Sequence, residues 1–380
     1  MCVRGGALLE NRATSLRRGG GFLARSSNDR ILILQTSKAP VALSDERFFR
    51  SRFDVRAFRI ILAPPVRVLT NTAALAVWLC WNLPRARGVF FRFADYYAFL
   101  PVFLSRVFRR KSWIVLGGYD AHHFPEYGYG VYEQPVRASI VRYAVRNATA
   151  VLPVDQSLYD GANAYAFDPP RPTGIKSLVP NLRCEVRVVA DGFDHEFWTP
   201  SPGDRKERLV VATASVPQST SRESRMRMVV LKGVPLLLEV ARRMPGVTFA
   251  IVGPEGGVLP QGGQAVPANV QLPGYLSPEE LREYYRRAAV YAHPSLTEGL
   301  PAAVAEAMLC CCVPVGSSVN GIPELIGDTG FVLTRPAVDE WVAAVTRALE
   351  LGASSRARDR IVALFSLAKR HRMLLDVIEG

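Results

Sequence analysis

Residues 289–308 read AVYAHPSLTEGLPAAVAEAM, and they change character twice. AVYAHP (289–294) is a short apolar run with β-branched and aromatic residues, as in a buried strand. PAAVAEAM (301–308) is built from strong helix formers, with Pro301 at the expected first helical position. The polar residues between them make the whole a strand, a loop and a helix, the repeating unit of a parallel α/β sheet. A helix that begins here aims the free N–H groups of its first turn, and the positive end of its dipole, off the carboxyl edge of the sheet. A phosphate or diphosphate is the guest such an end suits. Glu298 lies in the loop and Glu306 about one and a half turns into the helix, so the two would meet groups on either side of a diphosphate. A bidentate carboxylate such as Glu306 suits the paired hydroxyls of a ribose. Two glutamates at this spacing also occur on solvated helices, so the pair gains weight only from its surroundings.

The same unit repeats along the chain. In the first half, strands are expected at 31–35, 88–93, 113–118, 149–154 and 185–191. In the second half they are expected at 208–214, 247–253, 269–274, 289–294 and 313–318, with helices near 233–244, 277–287 and 301–310. This alternation predicts two doubly wound, Rossmann-like parallel sheets facing a cleft. At 380 residues the chain has room for both. The expected organisation is an extension over 1–29, rich in Arg, Gly and Ser and read as disordered; a first domain over 30–200; a second over 201–360; and a C-terminal helix over 361–380 that packs back on the first domain. The Pro, Gly and charge of FWTPSPGDRKER (197–208) mark the boundary.

Neither half carries G-x-G-x-x-G after its first strand, which argues against a nicotinamide dehydrogenase. GGVLPQGG (256–263) follows a strand without opening a helix and reads as a surface loop. The six cysteines include the run Cys310–Cys312 but no C-x-x-C pair and no histidines at metal spacing, so buried, reduced thiols are expected, with no metal site. The net charge of +13 and isoelectric point near 9.7 imply an anionic partner. Nucleic acid is excluded because no basic stripe interleaved with aromatics and no helix-turn-helix pattern is present. A second loop of the cleft supplies cations: RMVVLKGVPLLLEVARRMPGVTFAIVG (227–253) places Lys232 and Gly233 at the mouth of a helix, with Arg227 five residues before Lys232. Both could neutralise the same diphosphate, Arg by fork geometry and Lys as a point charge.

NVQLPGYLSPEELREYYRRAAVYAHPSLTEGLPAAVAEAM (269–308) followed by VPVGSSVNGIPELIGDTGFVL (313–333) closely resembles the donor domain of the retaining glycosyltransferases of family 4, which have the two-domain GT-B fold. The features that carry it are the E-x7-E of Glu298 and Glu306, the Pro-Ser before it and the G-x-P-E loop of Gly321-Ile322-Pro323-Glu324. The resemblance spans roughly 30–380. It implies a sugar-nucleotide donor, transfer of the sugar to an acceptor hydroxyl with retention at the anomeric carbon, and no metal or other cofactor. On that template Glu298 contacts donor-sugar hydroxyls near the anomeric carbon and Glu306 holds the ribose, while Lys232 and Arg227 stabilise the leaving diphosphate. The N–H groups of Gly299 and Leu300 add to this, and Gly253 and Gly321 complete the donor side. The rival readings are a sugar-nucleotide epimerase or hydrolase of the same fold, and an inactive nucleotide-sugar binder.

This chain also departs from the family pattern. The glycine pair expected after the first strand is replaced by TSKAPVALSDERF (36–48), where Lys38 could contact donor or acceptor. The His-Asp expected after the strand at 113–118 is replaced by Tyr119-Asp120. Asp120 could orient a hydroxyl, with Tyr119 and His122 beside it on the acceptor side, or it could cap its own loop. Cys311 stands where the family usually has glycine. A left-handed conformation there would strain a cysteine, so an ordinary turn is expected.

Two apolar stretches bear on location. VLTNTAALAVWLCWNL (68–83) is too short to span a bilayer and is expected to be a buried helix. YAFLPVFLSRVFRRKSW (97–113) has an apolar face of Leu100, Phe103, Leu104, Val107 and Phe108 with cations at its end. It reads as a core-facing helix or as a contact with an anionic membrane surface. With no secretory leader evident, a cytoplasmic protein is expected, peripheral on a membrane if that contact exists.

Overall fold

The computed structural model describes residues 29–37, 39–62, 65–201, 203, 206–214, 221–254 and 265–380. Residues 1–28, Lys38 and the glycine-rich 256–263 stretch lie outside the described residues.

The first domain runs β1 (Arg30–Gln35), α1 (Pro40–Arg52), β2 (Asp54–Arg59), α2 (Pro65–Asn82), β3 (Gly88–Arg92), α3 (Phe99–Val107), β4 (Lys111–Leu116), α4 (Pro135–Asn147), β5 (Ala150–Pro153), α5 (Ser157–Asp160), β6 (Ala162–Asn163), β7 (Arg171–Pro172), α6 (Ile175–Leu178) and β8 (Glu185–Val186). The second runs β9 (Glu207–Thr213), α7 (Arg222–Leu231), α8 (Val234–Arg243), β10 (Thr248–Val252), β11 (Val270–Gly274), α9 (Pro278–Arg287), β12 (Ala288–His293), α10 (Ala302–Leu309), β13 (Val313–Ser317), α11 (Ile322–Ile326) and β14 (Phe331–Leu333). It is followed by α12 (Val338–Leu351), α13 (Ser355–Leu364) and α14 (Leu367–Glu379).

Each domain holds a six-stranded parallel sheet, ordered β2-β1-β3-β4-β5-β8 in the first and β11-β10-β9-β12-β13-β14 in the second. The central strands are buried throughout, as β3 and β12 are along their whole length, because helices cover both faces. The strand order turns around between β1 and β3 in the first sheet and between β9 and β12 in the second. Ligands on open parallel sheets bind beyond the carboxyl ends at these points, and the loop that leaves β12 is one of them.

Helix α14 returns to the first domain. Arg370, fully buried, pairs its guanidinium with Asp45 of α1 (Nη2–Oδ2 2.7 Å) and reaches Asp191 (Nη1–Oδ1 3.0 Å). Asp191 in turn takes a bidentate pair from Arg92 at 3.0 and 2.9 Å. Two cations and two anions thus neutralise one another where the linker leaves the first sheet.

Several expectations change. DVRAFR forms β2, an edge strand whose arginines on a half-exposed ribbon hid its alternation. The strand expected over 185–191 keeps only Glu185–Val186 in the sheet, because the chain then turns away and delivers Asp191 to the ion cluster. The apolar 68–83 stretch is a helix but not a buried one: Leu69, Val77 and Trp81 are 76%, 73% and 71% exposed. Cys80 on that helix is exposed, unlike the buried Cys310 and Cys312. Cys311 adopts φ 64°, so the left-handed turn is kept without the glycine that would relieve it.

Candidate functional site

The site is built on the loop from His293 to Pro301. This loop is pinned to the junction of α7 and α8 by Leu296, whose N–H donates to the Leu231 carbonyl at 2.7 Å. Gly233 makes the close approach possible: its φ is 70°, and a Cβ there would lie 2.1 Å from the Pro294 carbonyl oxygen. Lys232 caps the end of α7 at the same junction and sends Nζ to 2.5 Å from Glu298 Oε1. His293, the last residue of β12, places Nε2 2.9 Å from the same oxygen.

Behind His293 the hydrogen bonds continue, with Nδ1 3.0 Å from the Tyr291 hydroxyl and that hydroxyl 2.8 Å from Thr213 Oγ1. A carboxylate at Oε1 requires a proton on Nε2, and the Tyr291 and Thr213 hydroxyls carry the hydrogen-bond chain on behind the ring. Burial opposes ionisation of Glu298, but Lys232 and then His293 outweigh it and hold the carboxyl well below the usual carboxylate range. Both donors meet Oε1. Among the described residues no hydrogen bond or ion pair reaches Oε2.

Helix α10 begins at Ala302, with Pro301 as its extended N-cap (ψ 112°) rather than its first helical residue. Proline supplies neither a side-chain cap nor an N–H, so the entrance to the helix is left to backbone donors. Glu306 is half-buried, and its carboxyl makes no hydrogen bond or ion pair to a described residue. Burial alone pushes that carboxyl up to about 7. Gly321 supports the loop: its N–H donates to the Gly299 carbonyl at 2.9 Å, and a Cβ there would sit 2.6 Å from Leu300 Cδ1. Gly253 ends β10 at φ 110° and donates to the Gly274 carbonyl at 2.8 Å.

The facing wall comes from the loop after β4. A Cβ on Gly299 would lie 1.9 Å from the Gly117 carbonyl oxygen, so the two domains meet backbone to backbone. Of the two roles expected for Asp120, orienting a hydroxyl or capping its own loop, its hydrogen bonds are those of the second. Oδ1 accepts from the N–H groups of Gly117 and Gly118 at 3.0 Å each, and Oδ2 accepts from Ala94 at 2.9 Å, which leaves little capacity for a ligand. His122 is fully buried, with Nδ1 2.7 Å from the Gly118 carbonyl and no hydrogen bond to Nε2 from a described residue. Burial pushes its pKa down to about 4, against the smaller opposing influence of the Gly118 carbonyl, Glu298 and Asn320, so near pH 7 the ring is neutral and Nε2 is an acceptor. Tyr119 stands at the rim, its hydroxyl 3.3 Å from Arg137 Nη1.

Arg227 is not brought to the cluster. It is exposed, pairs with Glu223 one turn earlier at 2.5 Å, and lies against Gly128 of the first domain, where a Cβ would meet Nη1 at 2.7 Å.

Three residues that sequence reasoning did not single out hold the loop. His293 lies inside the opening stretch, and its position at a strand end five residues before Glu298 was the available signal. Asn320 adopts φ 46°, accepts from the Glu298 N–H at 3.1 Å and donates to Ser157 Oγ of the first domain at 3.1 Å. Asn163 donates to the Leu296 carbonyl at 2.7 Å across the same cleft, and nothing local in its sequence marks it.

Residues 223–351 match the family described as glycosyl transferases group 1. A human phosphatidylinositol N-acetylglucosaminyltransferase subunit is 26% identical over 172 residues, which are 43% of this chain and 33% of that protein. The D-inositol 3-phosphate glycosyltransferase of Mycolicibacterium smegmatis is 29% identical over 199 residues, 49% of this chain and 45% of that protein. The matches therefore span between a third and a half of the length of these relatives. Among solved structures, Anabaena HepE in complex with UDP and glucose superposes with a TM-score of 0.67 and 16% identity, covering 93% of this chain and 100% of that one. The architecture is GT-B.

Proposed function

The second domain of this chain belongs with the glycosyl transferases group 1 and the whole chain has the GT-B fold, and from that premise we propose that it is a retaining glycosyltransferase moving a sugar from a nucleotide-diphosphate donor to an acceptor hydroxyl. The observation that carries this reading is the arrangement around Glu298, where Lys232 and His293 occupy one carboxylate oxygen and leave the other for a ligand. A carboxylate kept ionised by a lysine in a partly dry cleft is a fixed acceptor for sugar hydroxyls. The same lysine is a fixed positive charge for an anionic leaving group.

The diphosphate would lie at the entrance to α10, where the N–H groups of Gly299 and Leu300 are next to Lys232. The unpaired Glu306 would accept from the ribose hydroxyls. Arg227 would join the diphosphate only by leaving Glu223. In a retaining transfer the acceptor oxygen approaches from the face that the diphosphate leaves. The acceptor proton can then pass to the departing phosphate oxygen, so no protein base is required. His122 Nε2, a buried acceptor on the opposite wall, would receive a hydroxyl of the sugar or of the acceptor. Lys232 and the backbone donors would supply the neutralisation that a divalent cation gives elsewhere, so the reaction is proposed to be metal-independent.

The support from relatives is of the same kind: UDP and glucose are held by HepE, and inositol phosphate is named for the mycobacterial enzyme. The test is to incubate the protein with a panel of UDP-, GDP- and ADP-sugars, with and without acceptor hydroxyl compounds and with EDTA, following nucleoside diphosphate release and product anomeric configuration by NMR. Acceptor-dependent release, insensitive to EDTA, with the donor's configuration kept is expected. Release with no glycoside formed would favour a hydrolase. A folded protein whose melting is unmoved by every sugar nucleotide would overturn the reading.

A further inference from the structure

Helix α2 is apolar on both sides. Its inner side packs conventionally: Leu75 and Leu79 are buried, and the Trp78 ring lies 5.4 Å from Phe58 of β2. Its outer side carries Val66, Leu69, Ala73, Val77 and Trp81 at helical spacing, and all five are exposed. A helix that is hydrophobic all round is normally buried or in contact with lipid. Here no described residue covers the outer side.

The neighbouring helix extends the patch. On α3, Phe103 and Val107 are 41% and 57% exposed, while Leu100, Leu104 and Phe108 pack partly against the core. The apolar face expected on the 97–113 stretch is therefore divided, with part in the core and part facing out beside α2.

Charge decides what such a patch meets. Between Ile60 and Gly118 the only acidic residue is Asp95, which Arg137 holds, against seven arginines and Lys111. Arg67, Arg85, Arg106 and Arg109 are exposed at the ends of α2 and α3, with no acidic partner among the described residues. Trp81 lies beneath the Arg85 guanidinium at 5.2 Å, the pairing of amphipathic ring and cation that favours a headgroup region. No helix of the described residues is long and apolar enough to cross a membrane, so a helix of this kind would lie on one.

We propose that the outward faces of α2 and α3 form a docking surface for an anionic lipid bilayer. The position of α2 extends the inference to the acceptor, a step that rests on the transferase reading. Asn71 of α2 accepts from the Ile61 N–H at 3.0 Å and donates to the Arg59 carbonyl at 3.1 Å, which ties the second turn of the helix to the carboxyl end of β2. A hollow of about 420 Å³ opens there, with Gln35, Glu46 and Arg59 among its polar lining. Leu43 beside it is 47% exposed, and Leu62, at the approach to α2, is 53% exposed. A polar hollow bordered by bare apolar residues fits a hydroxyl-bearing headgroup whose apolar anchor stays in the bilayer.

The test is flotation of the full chain with vesicles of phosphatidylcholine alone or with about 30% phosphatidylglycerol. Donor turnover is measured separately on a soluble acceptor. The protein is expected to float with anionic vesicles and less so in high salt. Leu69→Ser with Trp81→Ser should lower partitioning at least tenfold while leaving melting and soluble-acceptor turnover unchanged. Arg67→Glu with Arg85→Glu should act in the same direction. Failure of the unaltered protein to bind anionic vesicles overturns the docking surface and leaves the transferase reading standing. So does equal binding by the α2 variants, binding that appears only after residues 1–28 are removed, or a dimer that the α2 substitutions dissolve.

Discussion

The two walls of the cleft use their carboxylates in opposite ways. On the second-domain wall, side chains from two elements converge on one oxygen of Glu298 and leave the other open. On the first-domain wall, three backbone N–H groups consume both oxygens of Asp120. Both residues are buried acids at the carboxyl end of a parallel strand, and spacing along the sequence does not separate them. What separates them is the source of their donors. A backbone-bonded carboxylate fixes a loop, whereas a carboxylate held from one side by lysine and histidine stays ionised and keeps an acceptor free.

The largest effect is expected from removing Lys232. Lys232→Ala is expected to lower turnover by about 10²–10³-fold, the scale for losing one preorganised electrostatic group. It should also cost on the order of 2 kcal/mol of stability, since Glu298 is left buried with only His293 as donor. Pairing Lys232→Met with Glu298→Gln should recover most of the stability in thermal melts and none of the activity. Recovery of activity would mean that the pair is structural, as Asp120 is.

The converse experiment is Asp120→Asn. One amide cannot accept three N–H groups without turning its own NH2 toward a donor, so a loss of roughly 1–3 kcal/mol in stability is expected. Turnover per folded molecule, measured well below the melting transition, should stay within about threefold. An unchanged melting temperature with lost turnover would return Asp120 to the chemistry and abolish the contrast between the walls.

The asymmetry also explains what was legible in the sequence. The strand, loop and helix of 289–308 was readable because burial, helix propensity and the two glutamates coincide within a few residues, and Lys232 was readable from its place before a helix. His293 was not, since a histidine ending an apolar strand looks the same whether it packs in a core or holds a carboxylate. Asn320 and Asn163 act across the cleft on a loop from which they are distant in sequence, Asn163 by 133 residues, so no local pattern could mark it. The outer side of α2 failed for the opposite reason: its apolar residues predict burial, and composition cannot tell which side of an all-apolar helix has a neighbour.

Within the second domain Glu306 is a third kind of carboxyl, with no donor from a described residue. With its folded carboxyl pushed up to about 7 by burial, the folded state binds that proton more tightly than the unfolded chain does. Stability from this group is therefore present below the unfolded value near 4.5 and is lost as pH rises through about 7. Glu306→Gln is expected to stabilise the free protein by on the order of 1–2 kcal/mol at pH 8 and to make no difference near pH 4. It should weaken nucleotide binding, measured by calorimetry, because an amide accepts one ribose hydroxyl in place of two. A gain in stability without loss of affinity would place the ribose elsewhere.

The smallest effect is expected at the far end of α10, where function makes no demand. Cys311 holds φ 64° and closes the helix with a hydrogen bond from its N–H to the Met308 carbonyl at 2.9 Å, while its own carbonyl accepts from Ser354 at 3.0 Å. Those bonds use only the backbone, and a cysteine gains nothing from the left-handed conformation that a glycine adopts without penalty. Cys311→Gly should therefore stabilise by about 1 kcal/mol, the steric cost relieved less the extra backbone freedom of glycine in the unfolded chain. Turnover should be unchanged. If the variant is less stable, the thiol of this half-buried side chain packs against its surroundings by more than the strain it imposes.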